Sequence, residues 1–465
     1  MLLSASARSG PAPPGPPTDE GLPVPRRYWS VLAIWLAIAM AVLDGAIANV
    51  ALPTIARELG ASAAASIWIV NAYQLAITVC LLPLAALGDK LGYRRVYMAG
   101  LAVFTLGSLS CALSHTLAGL VAARVFQGIG AAGLMSINSA LVRFTYPHRL
   151  LGRGIGLNAA IISVSAAVGP TMAAAILARA SWEWLFAVNV PIGVLAIAIG
   201  SRALPRTEGS GRPFDWLAAV LNAVAFGLLI LGLEGLAREG LLIGLLRLAG
   251  AAVAGILLAR RELRRIAPLV PFDLLRIPIF GLSAATSVVS FSAQMIAYTV
   301  LPFYFQEMLG RSPVAIGLLM TPWPLTVAVA APIAGHLAER RPAGLLGGIG
   351  LAVFAVGLAL LSRVGPGVSD WGICWRMMIC GAGFGFFQSP NNRAMVSAAP
   401  IIRSGAAGGT LATARLLGQT FGALAAAVFF SVAGTRATPA ALLTASGVAA
   451  GAAWVSLLRL RVKPG

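Results

Sequence analysis

Residues 29–52 read WSVLAIWLAIAMAVLDGAIANVAL, an apolar run with one charge, Asp44. A helix needs about 20 apolar residues to cross a hydrocarbon core of about 30 Å. Lipid offers the backbone no hydrogen-bond partner, so such a run must bond to itself as a helix. The pattern returns along the whole chain. Runs of similar character are read at 29–52, 64–86, 94–113, 118–141, 154–177, 184–201, 214–235, 240–259, 279–306, 313–337, 342–362, 370–391, 405–431 and 438–458. Short linkers rich in arginine, glycine and proline separate them. The reading is an all-α membrane protein with fourteen transmembrane helices.

Composition points the same way. The chain is 58% hydrophobic and 11% charged, with a mean hydropathy of +0.87. Soluble domains carry about 25% charged residues, so a water-soluble globule is excluded. The net charge of +19 is spread among the linkers. It therefore reads as a positive-inside bias rather than a nucleic-acid patch. With both termini in the cytoplasm, 24 of the 34 basic residues fall in inner segments and six in outer ones. The other four, Arg124, Arg247, Arg376 and Arg415, lie within spans. The bias indicates a multi-pass protein of the cytoplasmic (inner) membrane with an even number of spans.

Residues 1–27 are dominated by proline, glycine, serine and alanine and read as a disordered cytoplasmic tail. They hold no apolar core ending in a cleavage site, so a signal peptide is not expected. Cys80, Cys111, Cys374 and Cys380 all fall in apolar runs without a CxxC pair, which marks small buried hydrophobes. His115, His148 and His336 are far apart in sequence. No metal and no cofactor is expected. No GxxxxGK[ST] run is present, so no nucleotide site is expected either. A membrane-embedded enzyme would need clustered acids, histidines or a Ser/Lys pair in the spans.

An internal echo divides the chain. Ala85-Ala86-Leu87-Gly88-Asp89-Lys90 and Gly335-His336-Leu337-Ala338-Glu339-Arg340 both read small-x-Leu-small-acid-base. Their acids lie 250 residues apart, too far for six intervening spans and right for eight. The division expected is a six-helix bundle at 28–204, a two-helix insert at 205–262 and a second six-helix bundle at 263–465. Repeated halves around a midplane site are a common plan of secondary transporters.

These residues resemble the major facilitator superfamily. Leu87-Gly88-Asp89-Lys90-Leu91-Gly92-Tyr93-Arg94-Arg95 is similar to its loop signature, and Arg124-Val125-Phe126-Gln127-Gly128-Ile129-Gly130 to its fourth-helix motif. Gly169-Pro170 resembles the motif of its exporters. Leu43-Asp44-Gly45 with Asn49-Val50-Ala51-Leu52-Pro53 looks like the first-helix signature of its fourteen-helix drug:proton antiporters. Trp182-Glu183-Trp184-Leu185-Phe186 and Asn189-Val190-Pro191-Ile192-Gly193 point to the same branch. The match departs at Ala85, where the loop motif has glycine, and at Ser165, Ala173 and Ala174 around Gly169-Pro170. The resemblance implies proton-coupled export of hydrophobic or cationic drugs or toxic compounds by alternating access. A same-fold exporter of one defined metabolite or siderophore is the alternative. The expected partners are a small-molecule substrate, protons and the lipid bilayer, with no nucleic acid and a functional monomer.

Each candidate has a functional reading and a bland one. A central carboxylate is expensive in lipid, about 2.5–3.5 kcal/mol on insertion scales. Asp44 is therefore a proton carrier, or a structural acid bonded to a neighbouring helix. Arg124, always charged, is its coupling partner by resemblance, or a packing arginine bonded to carbonyls. Asp89, Lys90, Arg94 and Arg95, with Glu339 and Arg340 as counterpart, form by resemblance a latch between the halves, or merely a tight turn with inside charges. Gly128 offers a close helix contact, and Gly169-Pro170 a kink or a close contact. Gly381-Ala382-Gly383-Phe384-Gly385 sits inside an apolar span and reads as helix packing. Asn49, Asn71, Tyr73, Gln74, Gln294, Tyr298, Gln388 and Asn391 are polar groups within spans and candidates for a substrate cavity. An aromatic, weakly polar cavity suits apolar cations, but aromatic rings also simply pack.

Overall fold

The computed structural model describes residues 21–147, 150–207, 209, 214–238, 240–262, 272–338, 340–399 and 404–461. The expected tail lies mostly outside them, and so do Glu339 and His148. Eleven described stretches are long and apolar enough to cross a membrane. One of them, Ala407–Leu458, holds two helices. Two further passes are Leu151–Leu177, apolar over Val164–Leu177, and Asp370–Ala398, diluted by polar residues. The passes are α1 (Arg26–Glu58), α2 (Ala63–Leu91), α3 (Tyr93–Ala112), α4 (Leu117–Thr145), α5 (Leu151–Leu177), α6 (Trp184–Ala203) and α7 (Trp216–Arg238). They continue with α8 (Leu241–Glu262), α9 (Pro278–Met308), α10 (Pro313–Leu337), α11 (Ala343–Leu361), α12 (Asp370–Ala398), α13 (Ser404–Ala433) and α14 (Thr438–Leu458). The architecture is the fourteen-helix fold expected, with the start of α1 and the end of α14 at one end of the molecule, called the termini end below.

Local chemistry sets the helix starts. Ser62, Thr116, Ser312 and Ser369 each accept a hydrogen bond from the backbone N–H three residues on. They satisfy donors that a helix start leaves orphaned. Gly92 joins α2 to α3 at φ +93°, a conformation that L side chains rarely adopt.

α1 to α6 pack on one another, and so do α9 to α14, while α7 and α8 form a hairpin. Arg261 closes that hairpin with a bidentate ion pair to Asp215, at 2.8 and 3.0 Å. α7 lies against α2 of the first bundle and α13 of the second, and Asn222 Nδ2 donates to the Val79 carbonyl at 2.8 Å.

The two bundles repeat one another in their glycine contacts. A side chain added at Gly100 would strike Gly130 and Gly133, and one at Gly350 would strike Gly383 and Phe387. Gly128 rests on the Tyr73 backbone, and Gly381 on that of Trp323. Gly130 and Gly383 meet the backbones of Phe104 and Phe354. These pairs keep the offset of the Asp89–Glu339 echo to within four residues. The glycine run at 381–385 therefore packs helices, against α10 and α11.

The core is shared unevenly. At the end far from the termini one apolar cluster joins both bundles, from Ile47–Val70 and Trp182–Phe186 to Phe291–Phe305, Ile316–Trp323 and Ala423–Phe430. At the termini end the core splits into two clusters. One lies around Tyr97, Phe104 and Leu141 of the first bundle and takes in Leu416 of α13, and the other lies in the second bundle around Phe280 and Met395. Cross-bundle hydrogen bonds follow this division. Thr171 meets Thr321 at 2.7 Å toward the far end, and Gln74 donates to Gln419 at 3.1 Å at mid-depth. The Arg57 guanidinium faces the Gln306 amide at the far rim.

Candidate functional site

α1 carries Asp44 into the interior of the first bundle, where it is 2% exposed. α4 brings Arg124, 0% exposed, into an ion pair with Asp44 Oδ2. Gln127 lies three residues on from Arg124, on the same face of α4. It donates from Nε2 to Asp44 Oδ1 at 2.8 Å and accepts from Arg124 Nη1 at 2.7 Å. Asn189 of α6 donates to the same Asp44 oxygen at 3.1 Å. Both carboxylate oxygens are thus acceptors, the pattern of an ionised acid.

A second layer fixes the first. Arg124 Nε donates to the Ile69 carbonyl at 2.9 Å. The guanidinium carbon sits 4.0 Å from the Tyr73 ring centroid and 5.5 Å from that of Phe186. Tyr73 Oη donates to the Ala41 carbonyl at 3.1 Å, and Gln127 Nε2 also reaches Ser108 Oγ at 2.8 Å. Arg124 Nη2 has no partner among the described residues. This charge cluster belongs to one bundle only. At the repeat's offsets Asp44, Arg124, Gln127 and Tyr73 become Gln294, Met377, Cys380 and Trp323. Gln127, Asn189 and Ser108 were not among the sequence-derived site residues, although Gln127 and Asn189 lie inside two of the quoted motifs.

The cavity candidates separate into two sets. Tyr73 and Asn391 are committed to packing rather than open space. Tyr73 underlies Arg124. Asn391, 0% exposed, donates to Ser287 Oγ at 2.8 Å and accepts from Arg459 Nη1 at 2.6 Å. Arg459, one of the basic residues counted in the inner segments, is buried in that network and also donates to Ser283 Oγ at 2.7 Å. Asn49 donates to the Gly45 carbonyl at 2.9 Å and leaves Oδ1 unbonded. Asn71, 0% exposed, has both polar atoms without partners among the described residues. Gln74, bonded to Gln419, and Gln294 are buried. Gln388 is half-buried, and so is Tyr298, whose ring lies 4.9 Å from that of Trp323.

Of the latch residues, Asp89, Arg94 and Arg95 bond within their own bundle. Tyr93 Oη donates to Asp89 at 2.5 Å. The Arg94 guanidinium meets the Ser201 carbonyl, and Arg95 reaches the Leu91 carbonyl at 3.4 Å. Arg94 also lines a cavity of about 850 Å³ with Arg26, Arg143, Arg202 and Arg206. Arg340 is exposed. Gly128 lets α4 meet the Tyr73 backbone and Ala76 of α2. α5 runs unbroken through Pro170, where Gly169 abuts Ala46 of α1 and the Pro170 carbonyl lies beneath Gly317 of α10. This pair of residues therefore makes close helix contacts.

Residues 34–423 and 282–465 match the sequence profile of the Major Facilitator Superfamily. The chain is 53% identical to the uncharacterized transporter YebQ of Escherichia coli (strain K12), over 95% of this chain and 97% of that protein. It is 31% identical to the riboflavin transporter RibZ of Clostridioides difficile (strain 630), over 87% of this chain and 89% of that protein. It is 30% identical to the methyl viologen resistance protein SmvA of Salmonella typhimurium (strain 14028s / SGSC 2262), covering 85% and 81%. The crystal structure of a POT family transporter, in complex with a thioalcohol-conjugated peptide, superposes with a TM-score of 0.73 at 17% identity. It covers 94% of this chain and 96% of that one.

Proposed function

On the premise that the chain belongs to the major facilitator superfamily, and is a transporter rather than an enzyme, we propose that it is a proton-coupled exporter of hydrophobic drugs or toxic compounds. The observation that carries this reading is the buried set Asp44, Arg124, Gln127 and Asn189. A carboxylate held by one cation and two amides is a two-state element. When Asp44 takes a proton, Arg124 loses its counter-ion in a water-poor interior, and the arrangement must relax. That relaxation is the step we assign to the rocking of the two six-helix bundles, 28–204 and 263–465, around the 205–262 insert. The quoted motifs resemble those of the fourteen-helix drug:proton antiporter branch, and the resistance protein among its relatives supports export.

The arginine bias supports the cytoplasmic membrane with both termini inside. In that orientation the apolar core runs through both bundles on the outside and splits into two clusters on the inside, which supports a form that admits cargo from the cytoplasm. The latch at Asp89, Lys90, Arg94, Arg95, Glu339 and Arg340 is then in its open form, to close when the inner ends meet. A monomer carries the whole site. The expectation of cationic cargo has weaker support, because the mid-span acid with a described environment, Asp44, is committed to Arg124. Export of one defined compound is the second reading, favoured by the riboflavin transporter among the relatives.

The test is efflux from energised cells lacking their main pumps, using ethidium as a cationic probe and carboxyfluorescein as an acidic one. The reading predicts that efflux of at least one probe stops with a protonophore and in Asp44→Asn. Efflux by Asp44→Asn that still responds to the protonophore excludes Asp44 as the proton carrier. Efflux of neither probe by well-inserted wild type favours the single-compound exporter.

A further inference from the structure

Arg415 lies in α13, about 17 Å along the helix from its start at 1.5 Å per residue. An arginine stays protonated in any protein environment, and a charge at this depth is expensive without a partner. Yet Arg415 makes no hydrogen bond or ion pair with any described residue, and its Nε is buried and unbonded. The residue as a whole is part-exposed, so the outer guanidinium reaches open space.

Its position says which space. One turn further along α13, on the same face, Gln419 bonds Gln74 of the first bundle. On one flank Ala412 and Leu416 pack into the first bundle's core. On the other, Ala407 and Leu411 belong to the second bundle's core, and Gly418 and Gly422 press on Val288 and Ser292 of α9. Arg415 therefore stands at the seam between the separated cores, one turn on the termini side of the mid-depth Gln74–Gln419 bond. α7 packs on both α2 and α13 and shields the seam from lipid on that side. Asn71, with both polar atoms unbonded, lies one turn beyond Gln74 on α2. Among the described residues the stripe offers one cation without a partner, Arg415, and neutral amides.

We propose that Arg415 binds the acidic group, a carboxylate or a phosphate, of the exported compound, so that the cargo is a hydrophobic acid. This rests on the exporter reading above, and it narrows the cargo. The guanidinium fork pairs bidentately with either oxyanion, and the Gln74–Gln419 pair one turn away offers neutral hydrogen bonds. The acid enters from the termini end, reaches Arg415 before the Gln74–Gln419 bond, and neutralises a charge that otherwise stands alone.

The experiment is equilibrium binding without any gradient, using purified full-length protein in phosphatidylcholine nanodiscs, which present no anionic headgroup. The probe is an equimolar mixture of 1-naphthoate, 1-naphthyl phosphate, 1-naphthylmethylamine and 1-naphthalenemethanol, and the retained compounds are quantified by mass spectrometry. Wild type is expected to retain an acid over the amine and the alcohol. Arg415→Gln loses that preference by about tenfold to a hundredfold, Arg415→Lys keeps part of it, and Arg415→Glu shifts retention to the amine. All variants are compared at equal monodispersity, and the charge reversal predicts a gain, which misfolding does not produce. Wild type retaining no acid above the others, or acid retention unchanged in Arg415→Gln, overturns the assignment. Acid retention by protein that shows no gradient-driven efflux upholds Arg415 and instead removes the proton coupling.

Discussion

At the scale of residues, the Asp44 site is a network rather than a pair. Removing one member of a buried ion pair costs about 3–5 kcal/mol, because the other charge is left unmatched. Asp44→Ala and Arg124→Ala are expected to lose that much in thermal or denaturant unfolding, and Asp44→Asn less, since it keeps the shape and half the acceptors. Gln127→Leu removes bonds to both Asp44 and Arg124. Its expected cost is about 1–3 kcal/mol, with weakened proton-driven efflux at unchanged membrane insertion. Equal stability of Gln127→Leu and wild type would contradict the network. Asp44 was legible in the sequence because a charge inside an apolar run stands out at once, whereas Arg124, one of four such arginines, was singled out by the motif resemblance. Asn189 was not legible, because a neutral amide 145 residues from Asp44 carries no such signal. The burial of Arg459 was not legible for a related reason. The residue sits just past the last apolar run, and hydropathy cannot distinguish a loop charge from one folded back onto Asn391 and Ser283.

At the scale of elements, small residues decide how near the helices come. Gly317 of α10 touches the Pro170 carbonyl and Ala174 of α5 with no room for a side chain. Gly317→Leu is expected to force these helices apart, at about 1–3 kcal/mol for overpacking, and to slow transport more than it lowers expression. Unchanged efflux kinetics in this variant would remove α5–α10 from the moving contact. The glycine motifs were readable as motifs, while the choice between kink and contact at Gly169-Pro170 was not. Proline frees the carbonyl four residues before it, that of Ala166, and a break there need not bend a helix whose neighbours press on it; the neighbour touching Pro170, Gly317, belongs to the other bundle.

At the scale of the whole molecule, the apolar core is continuous at one end and divided at the other. Thr171 and Thr321 bridge the joined end at 2.7 Å. In a background without the four native cysteines, Thr171→Cys with Thr321→Cys is expected to cross-link on oxidation and stop efflux, with recovery on reduction. Efflux that persists with the link formed would show that this end does not open. The energy supply is adequate, since each charge moved is worth about 2.3 kcal/mol per 100 mV, roughly a fortyfold gradient. The sequence by itself determined the medium, the number of passes, the doubling of the chain and the arginine asymmetry, because length, hydropathy and charge are properties of single segments. Only the tertiary structure decided which polar groups meet, which helices touch and at which end the bundles close. Those depend on the rotation of each helix about its axis, and helices that are apolar nearly all round carry little record of it.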